Sequence, residues 1–315
     1  MLTTIAGALL PVLFMLALGY GAGRAHAFPK DAVAVITTLV LDFALPASLF
    51  VSTALVSREA LVAEAPLFYA LTIVVAAVWG AVFLLGRVLF HHSAAEASIQ
   101  AVLVSLAAIP FYGQAVLSPI IGAKAGIGVS IGSIVVNVIA VPLTTMALAM
   151  GGGGKSASVG KAIGGALLTT LKTPYIVAPI AGVVLVLAGL HLPSLLVAPL
   201  QLAGNASSAV GLFVAGLTLA AVKLEITGEM AFNVVAKLAV MPALFVGLAM
   251  LFGAKPPIVE QGALLAGLPC GPIAVLLATR HKIYEAESST ALAVSSLAFI
   301  ATLPIMIVLF AGGHR

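Results

Sequence analysis

Long apolar stretches separated by short polar turns run along this 315-residue chain. One bilayer crossing takes about 20 predominantly apolar residues. On that measure the pattern predicts ten helices, over residues 3–23, 32–55, 66–89, 97–122, 126–150, 174–190, 198–221, 230–252, 257–282 and 286–310. Two of them, the fourth and the ninth, are interrupted at their middle by proline and glycine. The run Ala107-Ala108-Ile109-Pro110-Phe111-Tyr112-Gly113 stands in the first, and Ala266-Gly267-Leu268-Pro269-Cys270-Gly271-Pro272 stands in the second. A proline inside a helix removes a backbone donor and clashes with the preceding turn. In lipid such a break leaves peptide groups unpaired, and it is tolerated only inside protein or beside a wet cavity.

The spacing of these stretches divides the chain. The longest polar interruption begins at Gly151-Gly152-Gly153-Gly154-Lys155-Ser156 and runs to Lys172, a flexible, basic linker over 151–172. It separates a first repeat of five helices, 1–150, from a second, 173–315. Pro110 and Pro269 are 159 positions apart, and the same shift carries Pro46 onto Asn205. Slightly different shifts place Pro11 on Pro179 and Pro142 on Pro304, so the halves are aligned though weakly identical. An odd number of helices per repeat brings the second copy in from the opposite side, which makes an inverted repeat whose broken helices cross at the midplane. The fold class expected is therefore an all-α polytopic membrane protein of ten helices, five plus five, with two broken crossover helices.

Composition sharpens the membrane reading. Hydrophobic residues make up 62% of the chain and charged residues 8%, with mean hydropathy +1.25; a soluble domain carries roughly 25% charged residues. The net charge of +4 is small and spread through loops, with no basic patch interleaved with aromatics, so no nucleic-acid partner is expected. A single cysteine, Cys270, excludes an intrachain disulfide and a multi-cysteine metal site, and no cofactor or metal is expected. The first stretch lacks a basic n-region and a cleavage site and is read as a helix of the mature protein. Loops after odd-numbered helices hold nine Lys and Arg, among them Arg24, Arg87, Lys155 and Arg280, against four on the other side. The positive-inside rule then turns both termini outward and the linker inward.

With this order of features the chain resembles the auxin efflux carrier family. The residues that carry the resemblance are Leu41-Asp42-Phe43-Ala44-Leu45-Pro46-Ala47-Ser48-Leu49-Phe50, the prolines of helices four and nine, Gly211-Leu212-Phe213-Val214-Ala215-Gly216-Leu217-Thr218-Leu219-Ala220, and the ending from Ser288-Ser289-Thr290 to Leu303-Pro304. It covers essentially the whole chain. The family includes bacterial transporters assigned to malonate and other small carboxylates, which implies a bacterial inner-membrane carrier. It also implies a crossover fold in which helices one, two, six and seven form a scaffold, the other six form a moving transport domain, and the whole is commonly a homodimer. One departure stands out: where plant and many bacterial members carry a carboxylate-binding asparagine after the helix-four proline, this chain has Phe111, Tyr112, Gly113 and Gln114. Tyr112 and Gln114 are the candidates to take its place.

The residues also suggest a site without the family. A half-helix that begins at mid-membrane presents N–H groups and about half a positive charge, so the starts near 111–114 and 270–273 favour an anion. Candidate substrate-binding residues are Pro110, Tyr112, Gly113 and Gln114 in helix four, Pro269, Cys270 and Gly271 in helix nine, and Asn205 and Ser207 in helix seven. The alternative is that the breaks merely kink helices for packing. Asp42, about ten residues into helix two, is a candidate for proton coupling, or equally a structural acid bonded to a neighbouring helix. Lys237 is a candidate to neutralise an anion or pair with Asp42; the favoured reading is that its long stem snorkels to the interface. Asn137 reads as interhelical glue, and His91-His92 as an interfacial pair or a pH sensor. The function expected is a secondary carrier or uniporter for a small mono- or dicarboxylate such as malonate, working by alternating access, with H+ or Na+ as a candidate coupling ion. A cation- or sodium-coupled exchanger of the same fold is the alternative, though it calls for more intramembrane acids than Asp42. An enzyme is disfavoured, since His-Glu-x-x-His, Gly-x-Ser-x-Gly and paired intramembrane aspartates are absent.

Overall fold

A computed structural model describes residues 2–29, 31–151, 172–221 and 226–311, together with Gly165 and Leu168. Most of the linker at 151–172 lies outside the described residues, as do Lys30, Lys155, Lys161, Lys223 and Arg315 of the charge count. Among the described residues the protein is helical without strands. Its helices are α1 (Leu2–Arg24), α2 (Ala32–Ala54), α3 (Ala65–Val88), α4 (Ala94–Ser105), α5 (Ile109–Ile121), α6 (Ala125–Gly151), α7 (Pro174–Leu187), α8 (Ser194–Ala221), α9 (Gly228–Leu251), α10 (Pro256–Ala266), α11 (Pro272–His281) and α12 (Glu285–Phe310). Among the described residues six helices are long and apolar enough to cross a membrane and four more are shorter and apolar, as a multi-pass membrane protein requires.

Two kinds of irregularity shape this bundle, and proline causes both. The ring of Pro46 clashes with the carbonyl of Asp42, four residues back, and offers no N–H to it. The backbone answers with a π turn over Val40–Ala44, in which Leu45 N–H reaches the Val40 carbonyl. Pro242 produces the same device: a π turn over Ala236–Val240, closed by Met241 N–H on Ala236. Asp42 and Lys237, the two charged residues well inside these spans, both ride in these widened turns.

Pro110 acts more strongly. Its ring excludes the Leu106 carbonyl from the helix, so α4 stops at Ser105 and Leu106 turns extended, with ψ 105. Pro269 does the same for Leu265, and α10 ends at Ala266. The freed groups find each other: Ala108 N–H donates to the Pro269 carbonyl at 2.9 Å and Gly271 N–H to the Leu106 carbonyl at 2.8 Å, an antiparallel bridge of Ala107 with Cys270. The two breaks thus complete one another's hydrogen bonds in the protein interior, where an unmet peptide group is costly.

The helices pack in close sets, with α5 lying against α1, α8 and α6 alike. α1 lies along α8, closely enough that a Cβ on Gly19 would stand 2.0 Å from the Phe213 carbonyl oxygen and one on Gly216 2.2 Å from that of Leu16. α2 packs on α7 and α8. α3, α4 and α6 pack together, and α9 packs on α10 and α3. Polar side chains join neighbours: Trp79 Nε1 donates to Thr144 Oγ1 at 2.9 Å, and the Tyr175 hydroxyl to Asn137 Oδ1 at 3.4 Å, which gives Asn137 an interhelical bond. The capping box of α4, Ser93 with Glu96, fixes where the broken helix begins; those bonds hold the Glu96 carboxyl below its ordinary range.

Candidate functional site

The breaks themselves are sealed. Pro110, Tyr112, Gly113, Pro269, Cys270 and Gly271 are all buried. Phe111 N–H and Tyr112 N–H both turn back on the Ala108 carbonyl at 3.0 Å, and Cys270 N–H donates to Ser295 Oγ at 3.2 Å. Tyr112 runs away from the cavity described below: its hydroxyl donates to Ser296 Oγ at 3.1 Å and its ring meets Phe299 edge-on at 6.0 Å. Gly113 gives α6 room, since a Cβ there would stand 2.9 Å from Val129.

One turn further along α5 the protein opens. A cavity of about 690 Å³ lies between α2 and α8 on one side and α5 and α6 on the other. Gln114, Asn205 and Ser207 line it, joined by Ser48, Ser52 and Lys124. So three of the nine residues expected to bind substrate share one wall-to-wall space, and the other six form the packed layer behind it. Gln114 is steadied by donating to Ser118 Oγ at 2.9 Å, which leaves a second amide hydrogen for the cavity. Gly204 lets α8 approach α2 here, because a Cβ would stand 2.8 Å from the Ser48 Cα. The lining offers hydroxyls, amides and the Lys124 ammonium, and no carboxylate. Hydroxyl and amide hydrogens with one ammonium form a donor set suited to an anion.

Ser48, Ser52 and Lys124 were not singled out from the sequence. Ser48 and Ser52 lie four apart, one helical turn, on the helix that carries Pro46, and that spacing is the signal by which they could have been found. Asp42 is not among the cavity residues; it sits exposed in its π turn, a turn that packs against α7 and α8. Lys237, expected to snorkel, is fully buried instead, because its π turn aims the stem inward at the end of α10.

A second polar group lies at another end of the bundle. His92 Nε2 is 3.3 Å from Glu229 Oε1, to which the Tyr284 hydroxyl also donates. Asn233 Nδ2 donates to that hydroxyl at 3.0 Å, and Gln100 Nε2 to Asn233 Oδ1 at 3.0 Å. Burial, and then Glu229 as its acceptor, push the Tyr284 hydroxyl well above the usual phenol range. These bonds tie α4, α9 and the turn before α12 together, and they fill His92's place as an interfacial partner.

Against this geometry the comparisons with known proteins are consistent from end to end. A family described as "Membrane transport protein" matches residues 4–307. "Uncharacterized transporter YfdV" of Escherichia coli (strain K12) is 34% identical over 309 residues, covering 98% of each chain. "Putative malonate transporter" of Rhizobium meliloti (strain 1021) is 27% identical over 313 residues, covering 98% of this chain and 97% of its own. The chain belongs to the membrane transport proteins of the auxin efflux carrier family, and is a transporter and not an enzyme.

Proposed function

We propose that this transporter is a secondary carrier, or a uniporter, for a small organic anion, bound in the cavity between α2, α8, α5 and α6 and moved by alternating access. The observation that carries the reading is the lining of that cavity: Gln114, Asn205, Ser207, Ser48, Ser52 and Lys124 offer donors, with no carboxylate to repel an anion. Gln114 takes the part of the family's asparagine, one turn beyond Pro110, and Tyr112 serves the packed layer. The fold behind the reading is an inverted repeat of ten spans, in which α4 with α5 and α10 with α11 are the two crossover helices. α1, α2, α7 and α8 are the scaffold, the remaining helices move, and a homodimer forms through the scaffold.

The cavity mouth lies where the charge count puts the outer face of a bacterial inner membrane, with both termini outward, so the conformation is open outward. Asp42 is kept as the coupling candidate, carrying a proton at the scaffold surface and not at the substrate. Malonate, the acid in the name of the Rhizobium meliloti relative, is the first to test. Detergent-purified protein is heated with a panel of mono- and dicarboxylates, since a ligand that binds only the folded state raises its stability by mass action. The expected result is a saturable rise with one acid that Gln114→Ala moves to about ten-fold higher concentration and Cys270→Ala leaves in place. A flat panel, followed by no uptake of any acid into proteoliposomes, refutes the anion reading.

A further inference from the structure

Along α6, Gly126, Ser130, Ser133 and Asn137 follow one another at spacings of four, three and four residues, which sets them on a single face of the helix. That face lies against α2 and α7. Gly126 allows the closest approach, since a Cβ there would stand 2.6 Å from the Ser52 Cβ. One turn on, Thr53 Oγ1 donates to Ser130 Oγ at 3.0 Å. Two turns beyond Ser130, Asn137 Oδ1 accepts from the Tyr175 hydroxyl at 3.4 Å. Thr53 and Tyr175 therefore hold α6 at separate levels, the first from α2 and the second from α7.

Between those levels stands a hydroxyl with nothing to bond. Ser133 has no exposed surface, and its Oγ has no hydrogen-bond partner. A serine inside a helix can return its hydroxyl to the carbonyl one turn back, as Ser130 does to Gly126 at 2.9 Å. A buried hydroxyl left unmet is costly, and in a native protein it calls for an explanation. Ser133 precedes Asn137 by four residues, about 6 Å along the helix axis. A step of α6 by one turn toward the inner face would bring Ser133 to the level that Asn137 now holds, opposite Tyr175.

The other bonds survive such a step. Thr53 Oγ1 has the Leu49 carbonyl of its own helix at 2.8 Å, Ser130 keeps the Gly126 carbonyl, and Asn137 Nδ2 keeps the Ser133 carbonyl at 2.8 Å. Gly126 comes level with Thr53 and brings no side chain to obstruct it. We propose that Ser133 is the second acceptor of the Tyr175 hydroxyl: α6 steps past α2 and α7 by one turn between the outward and inward conformations, and Tyr175 exchanges Asn137 for Ser133. One-turn steps of one packed helix past another are a known route between discrete conformations. None of the three side chains lines the cavity, so they are positioning residues that set the balance of the two conformations. The proposal rests on the division into scaffold and moving helices made above, and not on the identity of the anion.

The test is a distance measurement without substrate. Full-length protein carrying Cys270→Ala, Leu195→Cys and Lys255→Cys is spin-labelled at the two new cysteines, both at exposed positions, the first on α8 and the second at the start of α10, and placed in lipid nanodiscs. Double electron–electron resonance is expected to resolve two distances, one of them that of the outward conformation. Ser133→Ala takes no bond from that conformation and should raise its share relative to the other about five-fold, the size of one neutral hydrogen bond. Asn137→Ala should lower the ratio by a similar factor. In a Tyr175→Phe background neither substitution should move it. A Ser133→Ala variant without effect, or one that moves the ratio as Asn137→Ala does, overturns the exchange, and so does an effect that persists in Tyr175→Phe; two distances with any of these results leave alternating access standing. A single distance in every variant overturns the exchange together with the division into scaffold and moving helices. If Asn137→Ala fails to fold, Ser133→Ala alone and in Tyr175→Phe decides. A protein that moves none of the acids refutes the anion reading, while the distances still decide the role of Ser133.

Discussion

The breaks of the two interrupted helices are made by the same residue type and close the same backbone bridge, yet they end differently. Beyond Pro110 the second half-helix runs out along a cavity within one turn, so Gln114 meets open space. Beyond Pro269 the backbone stays buried from Leu268 to Gly271, Ser295 takes the free N–H of Cys270, and Lys237 takes the end of α10. One half-helix reaches a donor-lined cavity one turn beyond its sealed start; the other ends, just before Pro269, against a buried lysine. Aligned prolines thus fix the backbone bridge, while the helices packed beside each break decide what its ends meet.

The bridge between the breaks is the most sensitive point of this contrast. Pro110→Ala together with Pro269→Ala is expected to let both helices run through, leaving insertion and oligomeric profile intact while malonate uptake falls to that of empty liposomes. Wild-type uptake by the folded double variant removes the breaks from the mechanism. Gly271→Val comes next: a Cβ there meets the Leu106 side chain at 2.0 Å and its carbonyl oxygen at 3.1 Å, so overpacking should cost about 1–3 kcal/mol in thermal unfolding. Gly113→Val meets only side chains, Val129 at 2.9 Å and Ile109 at 3.3 Å, and should cost less. If the order reverses, the bridge is not the tighter contact.

Smaller effects separate the open side from the closed one. Gln114→Ala should raise the half-saturating malonate concentration about ten-fold, the size of one hydrogen bond to a charged group. Cys270→Ala should leave that concentration unchanged; an equal loss in both variants places the substrate across the two breaks. Lys124→Gln should weaken uptake by a few-fold at most, as an exposed charge at a cavity rim does, and the difference should vanish at high salt. A loss that persists at about 1 M salt, where the screening length is only a few ångströms, makes Lys124 a direct ligand.

Much of this was legible in the sequence for a simple reason. Apolar runs of membrane length announce themselves by composition, and proline flanked by glycine marks the two interruptions, whereas Pro11, Pro142 and Pro179 stand inside continuous helices. The positions of the two breaks, at Leu106 and Ala266, follow from Pro110 and Pro269 within a few residues. α8 was the least accurate boundary, beginning at Ser194 and not at residue 198, with Pro199 accommodated inside the helix. Of the site, Gln114, Asn205 and Ser207 were found because each sits beside a break or its aligned partner. Ser48, Ser52 and Lys124 were not: the one-turn spacing of the two serines was passed over, and nothing in a loop lysine distinguishes a cavity wall from a surface.

The π turns show where sequence reasoning ends. Pro46 and Pro242 each guarantee a disturbance one turn upstream, and the sequence places Asp42 in one and Lys237 in the other. It does not say which way either points. A widened turn rotates its side chains by an amount that depends on the neighbour it can close against: α10 and α12 receive Lys237, whereas Asp42 remains exposed beside α7 and α8. The sequence by itself determined the class of protein, the apolar helices, the two breaks and the family, because these depend on local composition and motif order. The tertiary structure alone decided that the breaks bond to each other, that Tyr112 packs while Gln114 opens onto a cavity, and that Lys237 is buried, because each depends on contacts between segments far apart in the chain, which local pattern does not encode.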